Sequence, residues 1–202
     1  MKQIAALLLG STAFITLSGA AHAEPSVSYS FGARAGGYGF RNTDDPAMGQ
    51  WDDCRMDGAG LFGQRTLTRF LFAELGFDLY TARDAIPVEG MPAPMDRISG
   101  ITTVAGGARV PWRWVQPYVQ LGVGLEVTRV EMPEHDLADR ALLPMGFVGV
   151  GAELWPTEHL AVGANVRTNV MKHFDHGGPD DTQMTGEFDT AAQGQLFLKY
   201  QM

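Results

Sequence analysis

The chain has 202 residues, with 15 Lys+Arg against 23 Asp+Glu, a formal net charge of −8, a pI near 5.0 and a mean hydropathy of −0.06. So acidic a balance argues against nucleic-acid binding, which rests on a basic face. The single cysteine, Cys54, excludes an internal disulfide and any cysteine-based zinc site.

The N-terminus reads as a signal peptide. Lys2 supplies a positive start, an apolar run from 4 to 17 contains Leu7, Leu8, Leu9, Phe14 and Ile15, and Ala21-His22-Ala23 is a small-x-small cleavage site. Residues 1–23 are therefore expected to be removed, leaving a single domain, 24–202. The run is too short, and the cleavage site too well placed, for a membrane-anchoring helix. No later window approaches the roughly 20 apolar residues of a spanning helix. The mature region is thus either soluble or crosses a membrane as strands.

Eight candidate strands appear, seven of them alternating with a period of two. The first, 26–41, sets Val27, Tyr29, Phe31, Ala33 and Ala35 against Ser28, Ser30, Gly32 and Arg34. The second, 55–66, does not choose a face cleanly. The third, 69–81, sets Leu71, Ala73, Leu75, Phe77 and Leu79 against Phe72, Glu74, Gly76 and Asp78. The fourth, 98–110, sets Thr102, Val104, Ala108 and Val110 against Thr103, Gly107 and Arg109.

The fifth, 117–130, is the clearest: Val119, Leu121, Val123, Leu125 and Val127 against Gln120, Gly122, Gly124 and Glu126. Its central eleven residues, tilted by roughly 40°, rise about 28 Å, close to the thickness of a bilayer's hydrocarbon core. The sixth, 144–154, sets Val148, Val150, Ala152 and Leu154 against Gly149, Gly151 and Glu153. The seventh, 159–171, sets Leu160, Val162, Ala164 and Val166 against Gly163, Asn165, Arg167 and Asn169. The eighth, from 190 onwards, sets Ala192, Leu196, Leu198, Tyr200 and Met202 against Gln193, Gln195, Lys199 and Gln201.

Connections alternate in length. Short ones fall around 67–68, 111–116 and 155–158, and long ones at 42–54, 82–97, 131–143 and 172–189. All long connections then lie at one end of an antiparallel, up-and-down barrel, as in bacterial outer-membrane barrels. Trp112, Trp114, Tyr118, Trp155 and Tyr200 fall near the short-turn end, and Phe40, Tyr80 and Phe174 near the other, where ring-bearing residues suit a membrane interface.

Alternation alone does not say which face is inside. A soluble, lipocalin-like carrier of an apolar ligand also alternates, with its apolar face inward. Lipid outside is favoured by polar faces rich in glycine with scattered charges, and by strand interiors whose only lysine is Lys199. The C-terminal Gln195-Leu196-Phe197-Leu198-Lys199-Tyr200-Gln201-Met202 adds a resemblance. The chain resembles the small eight-stranded outer-membrane barrels, the class of the OmpA transmembrane domain and the OmpX- and OmpW-type proteins. In that class the last strand alternates and ends in an aromatic, and it is read by the barrel-assembly machinery. Here Met202 stands in the terminal place. The resemblance implies an all-β transmembrane barrel in the outer membrane, in contact with its lipid and lipopolysaccharide, without a further periplasmic domain.

With the apolar faces outward, the lumen is expected to hold Arg34, Glu74, Asp78, Arg109, Glu126, Glu153, Arg167 and Lys199. Both signs nearly balance, so these should pair and plug a narrow barrel. A path for ions or small solutes along the same charges is the alternative. Acidic residues cluster in the first long connection (Asp44, Asp45, Asp52, Asp53) and the fourth (Asp175, Asp180, Asp181, Glu187, Asp189), without EF-hand spacing. His173 and His176 flank Asp175, but two such histidines in a loop fit polar surface better than a metal site. The strand interiors offer Ser28, Ser30 and Ser99 but no histidine at mid-strand; His159 begins the seventh strand at the short-turn end, and a Ser99–His173 pairing depends on the fold, so a lipid-hydrolysing Ser/His pair is not expected. The composite expectation is a monomeric barrel without cofactor, structural or interactive in role.

Overall fold

The computed structural model describes residues 28–40, 54–88, 91–112, 114–132, 137–172 and 188–202. They form eight strands: β1 Tyr29–Phe40, β2 Cys54–Thr66, β3 Leu71–Val88, β4 Met91–Arg109, β5 Val115–Met132, β6 Leu137–Leu154, β7 Leu160–Lys172 and β8 Phe188–Gln201. Each strand pairs antiparallel with the next. β8 returns to β1, from Ser30↔Gln201 to Phe40↔Ala191, and closes the barrel. Closure leaves no unpaired strand edge, which hydrocarbon would not tolerate.

The faces divide sharply. Val119, Leu121, Val123, Leu125 and Val127 of β5 are 43–65% exposed, while Gln120, Glu126 and Thr128 between them are at most 3% exposed. Apolar residues outside and polar ones inside is the reverse of a lipocalin-like carrier, so that alternative falls. β2 follows the same rule once paired. Met56, Phe62, Gln64 and Thr66 point inward, Ala59 and Leu61 outward.

Two tight turns at one end use the same device. Thr68 Oγ1 accepts from the amides of Phe70 and Leu71 at 3.2 and 3.0 Å. Thr157 Oγ1 accepts from those of His159 and Leu160 at 3.4 and 3.0 Å. A threonine hydroxyl thereby replaces the missing ladder bonds.

The expected long loops 82–97 and 131–143 are instead mostly strand. β3 and β4 continue pairing to Val88↔Met91, and β5 and β6 to Met132↔Leu137. Pro87, Pro92 and Pro94 disguise the first extension, because proline reads as a strand breaker. Glu131, Asp139 and Arg140 disguise the second, because beyond the apolar belt a hairpin need not alternate. Of the other two long connections, Cys54, Lys172, Phe188 and Asp189 belong to strands, with Asp189 paired to Met171; the remaining acidic residues, His173, Phe174 and His176 lie outside the described residues.

Inside, large rings lie on glycines. Gly32↔Phe62, Gly58↔Tyr80, Phe72↔Gly107, Tyr118↔Gly151, Gly122↔Phe147 and Gly163↔Phe197 are direct cross-strand partners. In all six, a Cβ on the glycine would run into the partner's ring. The glycines are the floors on which lumenal aromatics pack, an arrangement known to rescue glycine in strands.

Candidate functional site

The structure places Arg34, Glu74, Asp78, Arg109, Glu126, Glu153, Arg167 and Lys199 in the lumen, each 8% exposed or less. These are four cations and four carboxylates. They fall into three tiers along the barrel.

Nearest the short turns, Lys199 Nζ sits 2.5 Å from Glu153 Oε1 and donates to Gln64 Oε1 at 2.8 Å. Arg109 Nη1 stands 4.0 Å from Glu153 Oε2, and its Nη2 donates to Thr66 Oγ1 at 2.7 Å. Rings line this tier: Phe72 meets Tyr118 edge-on at 5.7 Å, and Phe62 meets Phe197 in the same way.

In the middle tier, Arg34 grips Asp78 with two prongs, Nε to Oδ1 and Nη2 to Oδ2, each 2.7 Å. Its Nη1 donates to Glu74 Oε1 at 2.8 Å, and Arg167 Nη2 reaches the same oxygen at 2.8 Å. Gln120, oriented with its oxygen towards Arg167, accepts from Nε at 2.7 Å. The guanidinium of Arg167 also lies 4.9 Å over Phe147. Burial of these ions is tolerable because each finds a charged partner at hydrogen-bond distance.

The third tier is built differently from expectation. Glu126 receives hydroxyls: Tyr38 at 2.6 Å, Ser99 at 2.7 Å and Thr128 at 2.6 Å. Ser99 and Thr128 also touch one another. Among the ion pairs of the described residues Glu126 does not figure, so its expected charge partner is replaced by three neutral donors. Around it lies an apolar collar containing Tyr80, Ile101, Leu143, Met56, Met145 and Met171. Tyr80 OH accepts from Gln193 and Gln195 at 2.7 and 2.8 Å.

A cavity of about 10 Å3, lined by Arg34, Phe62, Gln64, Glu74, Tyr118, Glu153, Asn165 and Phe197, separates the first two tiers. That is room for about one water molecule. Sequence reasoning assigned no role to the lumenal rings of Phe62, Phe72, Phe147 and Phe197. Their signal is the glycine directly across each ring, which becomes visible only with the register.

No protein-family model matches the chain, and no curated protein matches it by sequence. Solved structures do match. Neisserial surface protein A superposes with a TM-score of 0.61 at 11% identity, covering 86% of this chain and 96% of that one. Ail, the attachment invasion locus protein of Yersinia pestis, solved with the heparin analogue sucrose octasulfate, gives 0.57 at 12%, covering 87% and 99%. The N-terminal β-barrel domain of Pseudomonas aeruginosa OprF gives 0.53 at 13%, covering 86% and 97%. The fold is that of the small eight-stranded outer-membrane barrels.

In an outer-membrane barrel the apolar belt is the face turned to lipid, and aromatics gather at its rims. Trp112, Trp114 and Tyr200 are exposed at the short-turn rim. Tyr118 is not an interface residue: it is 7% exposed and packs in the lumen against Phe72. Tyr80, also expected at a rim, is wholly buried inside. An aromatic at the end of a strand can take either face, and the register gave both tyrosines the inner one. Trp155 is half-buried at the short-turn mouth, with Lys199 Nζ 5.1 Å from its ring centre.

Proposed function

We propose that this outer-membrane barrel is a sealed, monomeric structural or surface-interaction protein, and that the charged lumen is its plug. The observation that carries the reading is the network around Arg34, Glu74, Asp78 and Arg167, which crosses the lumen at mid-height beside a cavity of about 10 Å3. An eight-stranded barrel is narrow enough for side chains to fill. On this reading residues 1–23 direct export and are cleaved, the barrel-assembly machinery engages the last strand, and the outer connections meet lipopolysaccharide or partners. The chain's own charge of −8 disfavours a polyanionic partner such as the sulfated sugar bound to Ail, because like charges repel.

Among the described residues, the serines weighed for lipid hydrolysis have no histidine partner. Ser99 is wholly buried and committed to Glu126 and Thr128. His159 lies at the short-turn end, with Nδ1 3.2 Å from the carbonyl of Gln201. Planar-bilayer recording tests the reading: the purified barrel should give no discrete openings, and reproducible unitary currents would establish a narrow pore instead.

A further inference from the structure

The first two tiers of the lumen are each well connected, yet no hydrogen bond or ion pair joins them among the described residues. One contains Gln64, Arg109, Glu153 and Lys199, the other Arg34, Glu74, Asp78 and Arg167. The small cavity lies between them. Gln64 and Glu153 line it from one tier, Arg34 and Glu74 from the other, and Asn165 completes it.

Two of these lining residues carry an acceptor that receives nothing from the protein: Glu153 Oε2 and Asn165 Oδ1. Glu153 is 2% and Asn165 5% exposed. Arg109 Nη1, at 4.0 Å from Glu153 Oε2, is beyond hydrogen-bond reach. Buried acceptors left without a donor are costly, most of all when one is charged.

We propose that one ordered water molecule occupies this cavity, donating one hydrogen to Glu153 Oε2 and the other to Asn165 Oδ1, and that it joins the two ionic tiers into a single network. The proposal deepens the sealed-lumen reading and rests on it. About 10 Å3 suits one water. Two acceptors match the two hydrogens of a water. Its lone pairs are left for donors lining the same space, the Arg34 guanidinium and the Gln64 amide. A monovalent cation fits worse, since Arg34 lines the cavity and Lys199 and Arg109 already attend Glu153, and a further cation among them would be repelled in a poorly solvated interior. Asn165 is then a positioning residue for the plug.

The test is a crystal structure of the full barrel grown from a rubidium buffer, with anomalous data, together with oxygen-17 relaxation dispersion of the folded protein in detergent. The expected result is one peak within hydrogen-bond distance of both acceptors, without anomalous signal. Relaxation should count one long-lived water fewer in Asn165→Leu than in wild type, and the same number in Asn165→Asp, which keeps an acceptor. An empty cavity with Arg109 closed directly onto Glu153 Oε2 would overturn the proposal, as would a rubidium peak. The wild-type crystal decides even where Asn165→Leu does not fold. Conduction by a barrel that holds the water would overturn the seal and not the water; an empty cavity in a non-conducting barrel would overturn the water alone.

Discussion

Arg34 on β1 reaches Asp78 on β3 across the intervening strand, passing over Gly60 of β2. Arg34 is registered with Gly60, and Gly60 with Asp78. The two charges are therefore two strands apart, roughly 10 Å of backbone, bridged by a long guanidinium where β2 has no side chain. Removing the cation leaves Asp78 without its two charged hydrogen bonds in a buried site. Arg34→Met should lower stability by about 3–5 kcal/mol, read as the shift in a urea unfolding transition in detergent micelles. Adding Asp78→Leu to it should recover part of that loss, because no buried charge is then stranded at that position. A single variant within about 0.5 kcal/mol of wild type would mean that the pair contributes nothing.

Glycine at this crossing is a steric requirement. A Cβ at Gly60 would collide with Asp78 Oδ1, whereas one at Gly106 meets nothing within 4 Å. Gly60→Ala is expected to cost about 1–3 kcal/mol through overpacking, and Gly106→Ala to stay within about 0.5 kcal/mol of wild type. Equal effects at the two positions, measured by the same urea transitions, would remove the packing explanation.

Glu126 and Glu153 look alike in the sequence and should respond differently. Leucine at 153 strands the Lys199 ammonium, buried 2.5 Å from the carboxylate, and should cost about 3–5 kcal/mol. Leucine at 126 strands hydroxyls, of which Ser99 and Thr128 already touch and can pair with each other, so about 1–3 kcal/mol is expected. Unfolding midpoints of the two variants, compared side by side, give the order. The reverse order would show that Glu126 carries a charge partner after all.

Lipid-facing positions offer a further check on the belt. Leu121, 65% exposed at the middle of β5, should lose about 2–4 kcal/mol on substitution by arginine in liposomes, while arginine at Trp114 near the rim should cost about 1 kcal/mol or less. Similar losses at both depths would be inconsistent with a hydrocarbon belt.

Much of this was legible in the order of residues. Alternation located the strands, because a half-buried strand repeats every two residues, and the same alternation separated Glu126 from Leu125. It failed on β2, whose outward row holds Arg55, Asp57, Gly63 and Arg65 around just Ala59 and Leu61, while Met56 and Phe62 point inward. Neither face of that strand is apolar enough to declare itself. Pairing within the lumen was not legible at all. Arg34 meets Asp78 only because three strands bring them to one level, and nothing local to either residue carries that information. Tyr118 illustrates the same limit: its ring could serve a rim or a core, and Gly151 directly across from it decided.

The plugged lumen and the apolar belt both depend on which face touches lipid, and methyl-resolved NMR with a doxyl-labelled lipid reads that directly without altering the protein. Methyl groups of Leu121, Val123 and Val127, exposed on the belt, should broaden strongly, and those of Ile101 and Leu143, 1% and 7% exposed in the lumen, should not. Broadening of Ile101 and Leu143 with Leu121 and Val123 protected would turn the barrel inside out and contradict the assignment of both faces.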